Sequence, residues 1–222
     1  MKTLDHRTLL GALCTALVFT VATTTTALAK DDSAALSGFG LKLGGTLATA
    51  TSDNSAVTDA QGTKLGFGGG IQVVLGLTNW FAVQPEVLYQ NKGTQAEQTL
   101  PEGAATVTTN LNYIQVPVLA SIRIPALRAI TPKLFVGPHM AFLLSASERQ
   151  AFEDSTVTQA VDNSNFSTFD FGFTGGLGVD FKMGGSTLTT ELRLERGLLN
   201  YLDGDNTTLR HQSASVFVGV VF

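Results

Sequence analysis

Beyond Leu36 the chain alternates. Phe39, Leu41, Leu43 and Leu47 are separated by Gly40, Lys42, Gly44 and Thr46. A period of two gives a strand one apolar face and one polar or small face. The same reading holds for Leu65–Leu77, with Ile71, Val73, Leu75 and Leu77 on one side. A turn at Thr78-Asn79 leads through Trp80 to a strand that sets Phe81, Val83, Val87 and Tyr89 against Gln84, Glu86 and Gln90. Asn112–Ile124 sets Ile114, Val116, Val118, Ile122 and Ile124 against Tyr113, Gln115, Ser121 and Arg123, and Lys133–Ser147 is a strongly apolar strand containing His139. Phe169–Phe181 opposes a phenylalanine-rich face to Gly172, Gly176 and Gly178, and Leu188, Leu192 and Leu194 oppose Glu191, Arg193 and Glu195. The last strand carries Val216, Val218, Val220 and Phe222. This predicts an all-β chain of about eight antiparallel strands, with no more than a single helical turn near Ala126–Ile130.

The connections alternate too. Those near 50–63, 95–106, 147–166 and 202–207 are long and polar, whereas those near 78–79, 125–132 and 183–185 are mostly shorter. Up-and-down barrels of the outer membrane have this asymmetry, with long loops outside the cell and short turns in the periplasm. An even number of strands then leaves both chain ends on the periplasmic side. No apolar run after Ala29 is long enough for a membrane-spanning helix. A membrane chain without one must close its strands into a barrel, because each backbone N–H and C=O needs an internal partner in lipid.

If the apolar face meets lipid, the interior gathers Lys42, Gln72, Gln84, Glu86, Gln115, Arg123, Glu191, Arg193 and Glu195. Its charges balance, which a small plugged barrel requires, since an unpaired buried charge is strongly destabilising. An interior of eight strands is just filled by side chains, so no open diffusion channel is expected. Trp80, Phe81, Tyr89, Tyr113 and Tyr201 fall near expected strand ends, as interfacial aromatic girdles do. A soluble lipocalin-like carrier of an apolar ligand is the alternative that alternation alone leaves open, with the two faces exchanged.

Composition narrows the partners. The order Lys2/His6/Arg7, an apolar stretch from Leu9 to about Ala22, and Ala27-Leu28-Ala29 reads as a signal peptide over residues 1–29, with the barrel domain over 30–222. Cys14, the only cysteine, falls in the middle of that apolar core, so no disulfide or cysteine metal site is expected in the mature chain. The whole chain carries a net charge of −4 and shows no basic patch, which argues against nucleic acid. No cofactor or metal is expected: Asp203-Gly204-Asp205-Asn206 resembles a calcium-loop fragment but lacks the closing glutamate, and the glycines lie in strands rather than in a phosphate loop.

Several segments resemble the PorT-like outer-membrane β-barrel family. They are Gln84-Pro85-Glu86-Val87-Leu88-Tyr89-Gln90-Asn91-Lys92-Gly93, Leu111-Asn112-Tyr113-Ile114-Gln115-Val116-Pro117, Val136-Gly137-Pro138, Phe171–Val179, Glu191-Leu192-Arg193 and Gly197-Leu198. The resemblance spans essentially the whole mature chain. It implies a barrel of about eight strands in the bacterial outer membrane, with some relatives linked to secretion and gliding and most without an assigned role. Phe222 resembles the terminal aromatic signal presented to the barrel-assembly machinery.

Fold alone assigns no activity. Some small outer-membrane barrels, the lipid A deacylases, use a His-x-Ser pair, and His211-Gln212-Ser213 has that spacing. The strand register places the pair inward, away from a lipid substrate, so catalysis is the weaker alternative. The expected role is structural or binding. Partners are then outer-membrane lipid and lipopolysaccharide, the assembly machinery, and a protein met through the loops at Thr51–Thr63 and Arg149–Asn165. Glu97, Glu102, Glu153, Asp154 and Asp162 make the expected surface loops acidic.

Overall fold

The computed structural model describes residues 35–52, 62–100, 103–124, 129–152, 156–160, 167–199 and 209–222. Within them lie nine strands: β1 (Ala35–Ser52), β2 (Gly62–Gly76), β3 (Phe81–Leu100), β4 (Gly103–Arg123), β5 (Ile130–Ala151), β6 (Thr156–Ala160), β7 (Phe169–Met183), β8 (Ser186–Gly197) and β9 (Leu209–Val221). Eight of them form one closed antiparallel circuit. Each pairs with the next along the chain, β5 pairs with β7 across the short β6, and β9 returns to β1 from Gly40↔Val221 to Ser52↔Leu209. Closure leaves no open sheet edge around the wall. Phe39 and Phe222 exchange both backbone hydrogen bonds, which seals the seam at the chain's last residue.

The alternation becomes an inside and an outside. In β1, Gly40, Lys42, Thr46 and Ala48 are buried while Phe39, Leu41, Leu43 and Leu47 are exposed. Many large apolar side chains stand exposed, Leu65 at 74% and Leu43 at 72%, and among the buried residues the polar and charged ones outnumber the apolar. A soluble carrier barrel has the opposite polarity, so the lipocalin-like alternative does not fit this wall. Apolar outward residues around a closed barrel are what a hydrocarbon solvent selects.

The wall is uneven in height. The turns at 77–80 and 184–185 share one end with Ile124, Ala129 and both described chain ends. At the other end β3 and β4 stay paired up to Leu100↔Gly103, and β4 stays paired with β5 up to Thr106↔Ala151. These strands run 20, 21 and 22 residues, whereas β8 and β9 run 12 and 13. A tilted strand needs about 9–11 residues to cross a bilayer, so β3–β5 rise well beyond one, with β6 paired to the outer part of β5. This corrects two expectations. The segments 95–106 and 147–166 were expected as loops, but much of each is strand. The sequence of 95–106 and 147–160, rich in Thr, Gln and Ala, carries no alternating apolar row. The wall bends where β2 carries one extra residue between Thr63↔Thr94 and Gly68↔Gln90. Gly93, next to that bulge, has φ 144°. A Cβ there would lie 1.9 Å from the Thr109 carbonyl oxygen, so only glycine fits.

The expected signal segment, Tyr201, the Asp203–Asn206 fragment and most of the Thr51–Thr63 loop lie outside the described residues, as do the side chains of Glu97, Glu102, Glu153, Asp154 and Asp162.

Candidate functional site

The interior is built by two strands that face each other. Around the circuit β3 and β8 are four steps apart in either direction, hence diametrically opposed. Their inward rows carry the long side chains: Gln84, Glu86, Gln90 and Lys92 on β3, and Glu191, Arg193 and Glu195 on β8. β1, β2 and β7 supply space through inward glycines, among them Gly44, Gly68, Gly176 and Gly178.

At mid-height the contacts are ionic. Arg193 donates through Nη1 and Nη2 to the two Glu86 carboxylate oxygens at 2.7 and 2.8 Å. It also donates through Nε to Glu191 Oε2 at 3.0 Å, and its Nη2 reaches the same oxygen. Lys42 Nζ bridges the same two acids, 2.8 Å from Glu86 Oε1 and 2.9 Å from Glu191 Oε2. Toward the turn end, Lys133 Nζ pairs with Glu191 Oε1 at 2.9 Å and Asp180 Oδ1 at 2.8 Å. Three cations therefore meet three carboxylates. The guanidinium plane is enclosed by rings, with Arg193 Cζ 5.3 Å from the Phe135 centroid and 5.1 Å from that of Phe217. Each ring rests on glycine: a Cβ on Gly176 would lie 2.7 Å from Phe135, and one on Gly44 would lie 2.9 Å from Phe217.

Toward the long-hairpin end the contacts turn to amides and hydroxyls around one ion pair. Glu195 accepts from Lys92 at 2.7 Å, Ser213 at 3.2 Å, Gln90 at 3.2 Å and Gln115 at 3.1 Å. Lys92 donates as well to Gln115 Oε1 at 2.7 Å. His139 Nδ1 lies 2.9 Å from Thr174 Oγ1, and His211 Nε2 lies 3.2 Å from the Tyr113 hydroxyl.

Lys42, Gln84, Glu86, Gln115, Glu191, Arg193 and Glu195 thus share one buried lumen, with Gln84 donating to Glu86 at 2.5 Å and to Gln72 at 2.9 Å. Arg123 has inward parity but stands half-buried at the turn end, outside the ion pairs formed among the described residues. Lys92, Lys133 and Asp180 belong to the lumen without having been singled out by the sequence. Their signal was parity: Lys92 continues the row of Glu86 and Gln90, and Lys133 the row of His139. Tyr113 is corrected from girdle to lumen, because its ring is buried inward against His211. Trp80 and Phe81 pack together at the turn end, ring centroids 5.7 Å apart.

His211 and Ser213 share an inward face, but the serine hydroxyl donates to Glu195 and the imidazole meets Tyr113. Neither is presented to the outer surface, so the lipid A hydrolase alternative is not favoured. Phe222 ends the chain at the turn end, 65% exposed.

A family model described as outer membrane protein beta-barrel domain matches residues 30–203. Solved structures similar to the chain include Neisserial surface protein A (15% identity, TM-score 0.46, covering 86% of this chain and 100% of that one). Ail, the attachment invasion locus protein of Yersinia pestis, matches at 11% identity and TM-score 0.40, over 83% of this chain and 99% of its own. OprG from Pseudomonas aeruginosa matches at 11% identity and TM-score 0.46, over 84% and 95%. No curated protein matches the chain.

Proposed function

We propose that this chain, which belongs to the outer membrane protein β-barrel domain family, is a plugged, non-conducting barrel. Its role is structural and binding: it carries a raised β3–β6 wall at the cell surface. The observation that supports this most directly is the lumen, where Arg193, Lys42 and Lys133 neutralise Glu86, Glu191 and Asp180 across the barrel. Fixed pairs of this kind, in an interior that eight strands leave just wide enough for side chains, support a lumen closed to solutes. The signal peptide over residues 1–29 and the assembly role of Phe222 belong to this reading, as does the PorT-like assignment, which rests on the motif segments alone.

The decisive experiment is single-channel recording on the folded protein in planar bilayers. Its folding is checked first by the mobility shift between boiled and unboiled samples. The expected result is the mobility shift with no conductance steps above the lipid baseline. Regular steps from the folded wild type would overturn the plug. A wall-directed partner is tested by pull-down with and without residues 96–107 and 147–160; partners unchanged by the deletion would remove the raised wall as the binding element.

A further inference from the structure

Both histidines among the described residues, His139 and His211, lie buried in the half of the lumen nearer the long hairpins. That half also ties the raised wall to the low one. Lys92 and Gln90 of β3 and Gln115 of β4 reach Glu195 of β8, Tyr113 of β4 meets His211 of β9, and His139 of β5 meets Thr174 of β7. The last two of these ties pass through an imidazole. The two rings belong to one cross-strand row. His139 pairs with Gly172, Gly172 pairs with Gly197, and Arg196, just before Gly197, pairs with Gln212, just after His211.

Charge is balanced around these rings only while they are neutral. The buried charged side chains of this half are Lys64, Lys92, Asp170 and Glu195, and Tyr113 is the remaining titratable neighbour. Lys64 is turned to Asn91 and the Lys92 carbonyl oxygen, and Asp170 accepts from the backbone N–H groups of Phe171 and Leu199. Lys92 lies within electrostatic range of both imidazoles and Glu195 within range of His139. Glu195, however, is already engaged by Lys92, Gln90, Gln115 and Ser213. The glycines between the rings have no room for a counter-charge. A Cβ on Gly172 would lie 2.8 Å from the His139 ring, and one on Gly197 would lie 2.5 Å from Asp170 Oδ2. A proton on each ring would leave two cations in excess, and a buried charge without a partner is strongly destabilising. The turn half, with no histidine among its described residues, keeps its cations and carboxylates matched in the same pH range.

We propose that the hairpin half of the lumen is an acid-operated latch: protons taken up by His139 and His211 release the raised β3–β5 wall from β7–β9, while the ionic turn half holds the barrel shut. The latch takes from the reading above only that the long hairpins face the cell's surroundings. Its steepness follows from proton linkage. An imidazole released to water takes a proton near pH 6.5, about its ordinary value. Two protons bound on opening raise the open-to-closed ratio by up to about 100-fold for each pH unit below that value, and one proton by up to about tenfold. Well above it, opening gains no proton and the latch stays closed.

The test places spin labels at Arg149→Cys and Gln212→Cys, exposed positions on β5 and β9, in a Cys14→Ser background that removes the single native cysteine. Label-to-label distances are measured by double electron–electron resonance on the full folded chain in phosphatidylcholine nanodiscs, from about pH 7.5 to about pH 5.5, a range that brackets histidine titration. A single population at the upper pH is expected to give way to a longer one at the lower, with a ratio that climbs more than about tenfold per pH unit. His139→Gln or His211→Gln alone is expected to reduce the slope to about tenfold, and both together to remove it. Labels at Leu134→Cys and Val218→Cys, exposed on the turn half, are expected to keep their distance throughout. Wild-type distances that ignore pH would overturn the latch. So would a response of unchanged steepness in the double variant, which would assign it to Glu195 or Asp170. Should the double variant lack the boiling mobility shift, the single variants decide, and a slope unchanged in both rejects the histidines. A wild type without that shift would overturn the barrel and the latch together, whereas conductance steps would overturn the plug and leave the latch to the distances.

Discussion

The two halves of the lumen hold their polar groups by different means. In the half nearer the turns, full charges face full charges: Lys42, Lys133 and Arg193 against Glu86, Glu191 and Asp180. In the half nearer the long hairpins, one pair, Lys92–Glu195, is surrounded by Gln90, Gln115, Ser213 and two histidines. Mid-barrel is the part farthest from water. There a carboxylate is tolerable only if guanidinium or ammonium groups saturate its lone pairs, because a buried ion costs several kcal/mol unless partnered. Near the rim, amides and hydroxyls suffice, since each donates or accepts without a net charge to neutralise.

The contrast is broken most severely at its centre. Arg193→Met keeps much of the volume between Phe135 and Phe217 but removes the bidentate partner of Glu86 and one of the three cationic partners of Glu191. Three carboxylates would then share two lysines. Removing one member of a buried pair typically costs about 3–5 kcal/mol, and that loss is expected here. The measurement is urea unfolding in lipid vesicles, followed by fluorescence of Trp80, the single tryptophan. Adding Glu86→Gln should recover part of the loss. An Arg193→Met barrel as stable as the wild type would mean that the ionic half contributes packing rather than charge compensation.

The second substitution sharpens the contrast in the neutral half. Glu195→Gln removes the charge facing Lys92, yet Lys92 keeps Gln115 Oε1 at 2.7 Å and the new amide keeps an acceptor for its neighbours. The expected loss is about 2 kcal/mol, the scale of one charged hydrogen bond. A loss as large as that of Arg193→Met would erase the distinction between the halves.

Much of this arrangement was legible in the chain. Period-two alternation carries the inside and the outside of β1, β3, β4 and β8, because on those strands lipid and lumen demand opposite chemistry at successive positions. It carried less on β5, where Lys133, Phe135, Gly137 and His139 make an inward row with a single charge. The row reads as apolar until its partners on β7 and β8 are known. Asp180 was hidden for a similar reason, as a lone acid between Val179 and Phe181 whose lysine lies 47 positions away. The raised wall was missed because alternation fails as a signal once both faces of a strand meet water. Tyr113 was misplaced because an aromatic near a strand end has the same sequence appearance at a lipid interface as in a lumen. Only its parity with Gln115 separates the two.

The mildest test asks whether a neutral contact in the lumen carries any weight of its own. Thr46 Oγ1 and Ser215 Oγ lie 2.9 Å apart, buried on register partners of β1 and β9, next to the seam that closes the barrel. Thr46→Val preserves the branched shape and leaves the Ser215 hydroxyl without this partner. The expected cost is about 1 kcal/mol, the net scale of a neutral hydrogen bond. It is measured by the same unfolding assay and arises with no change in the boiling mobility shift. A cost near that of Glu195→Gln would place the seam, rather than charge, as the main determinant of stability on this side of the lumen. A cost near zero would mean that Ser215 finds another acceptor, and that the neutral half tolerates single losses because its donors and acceptors are interchangeable.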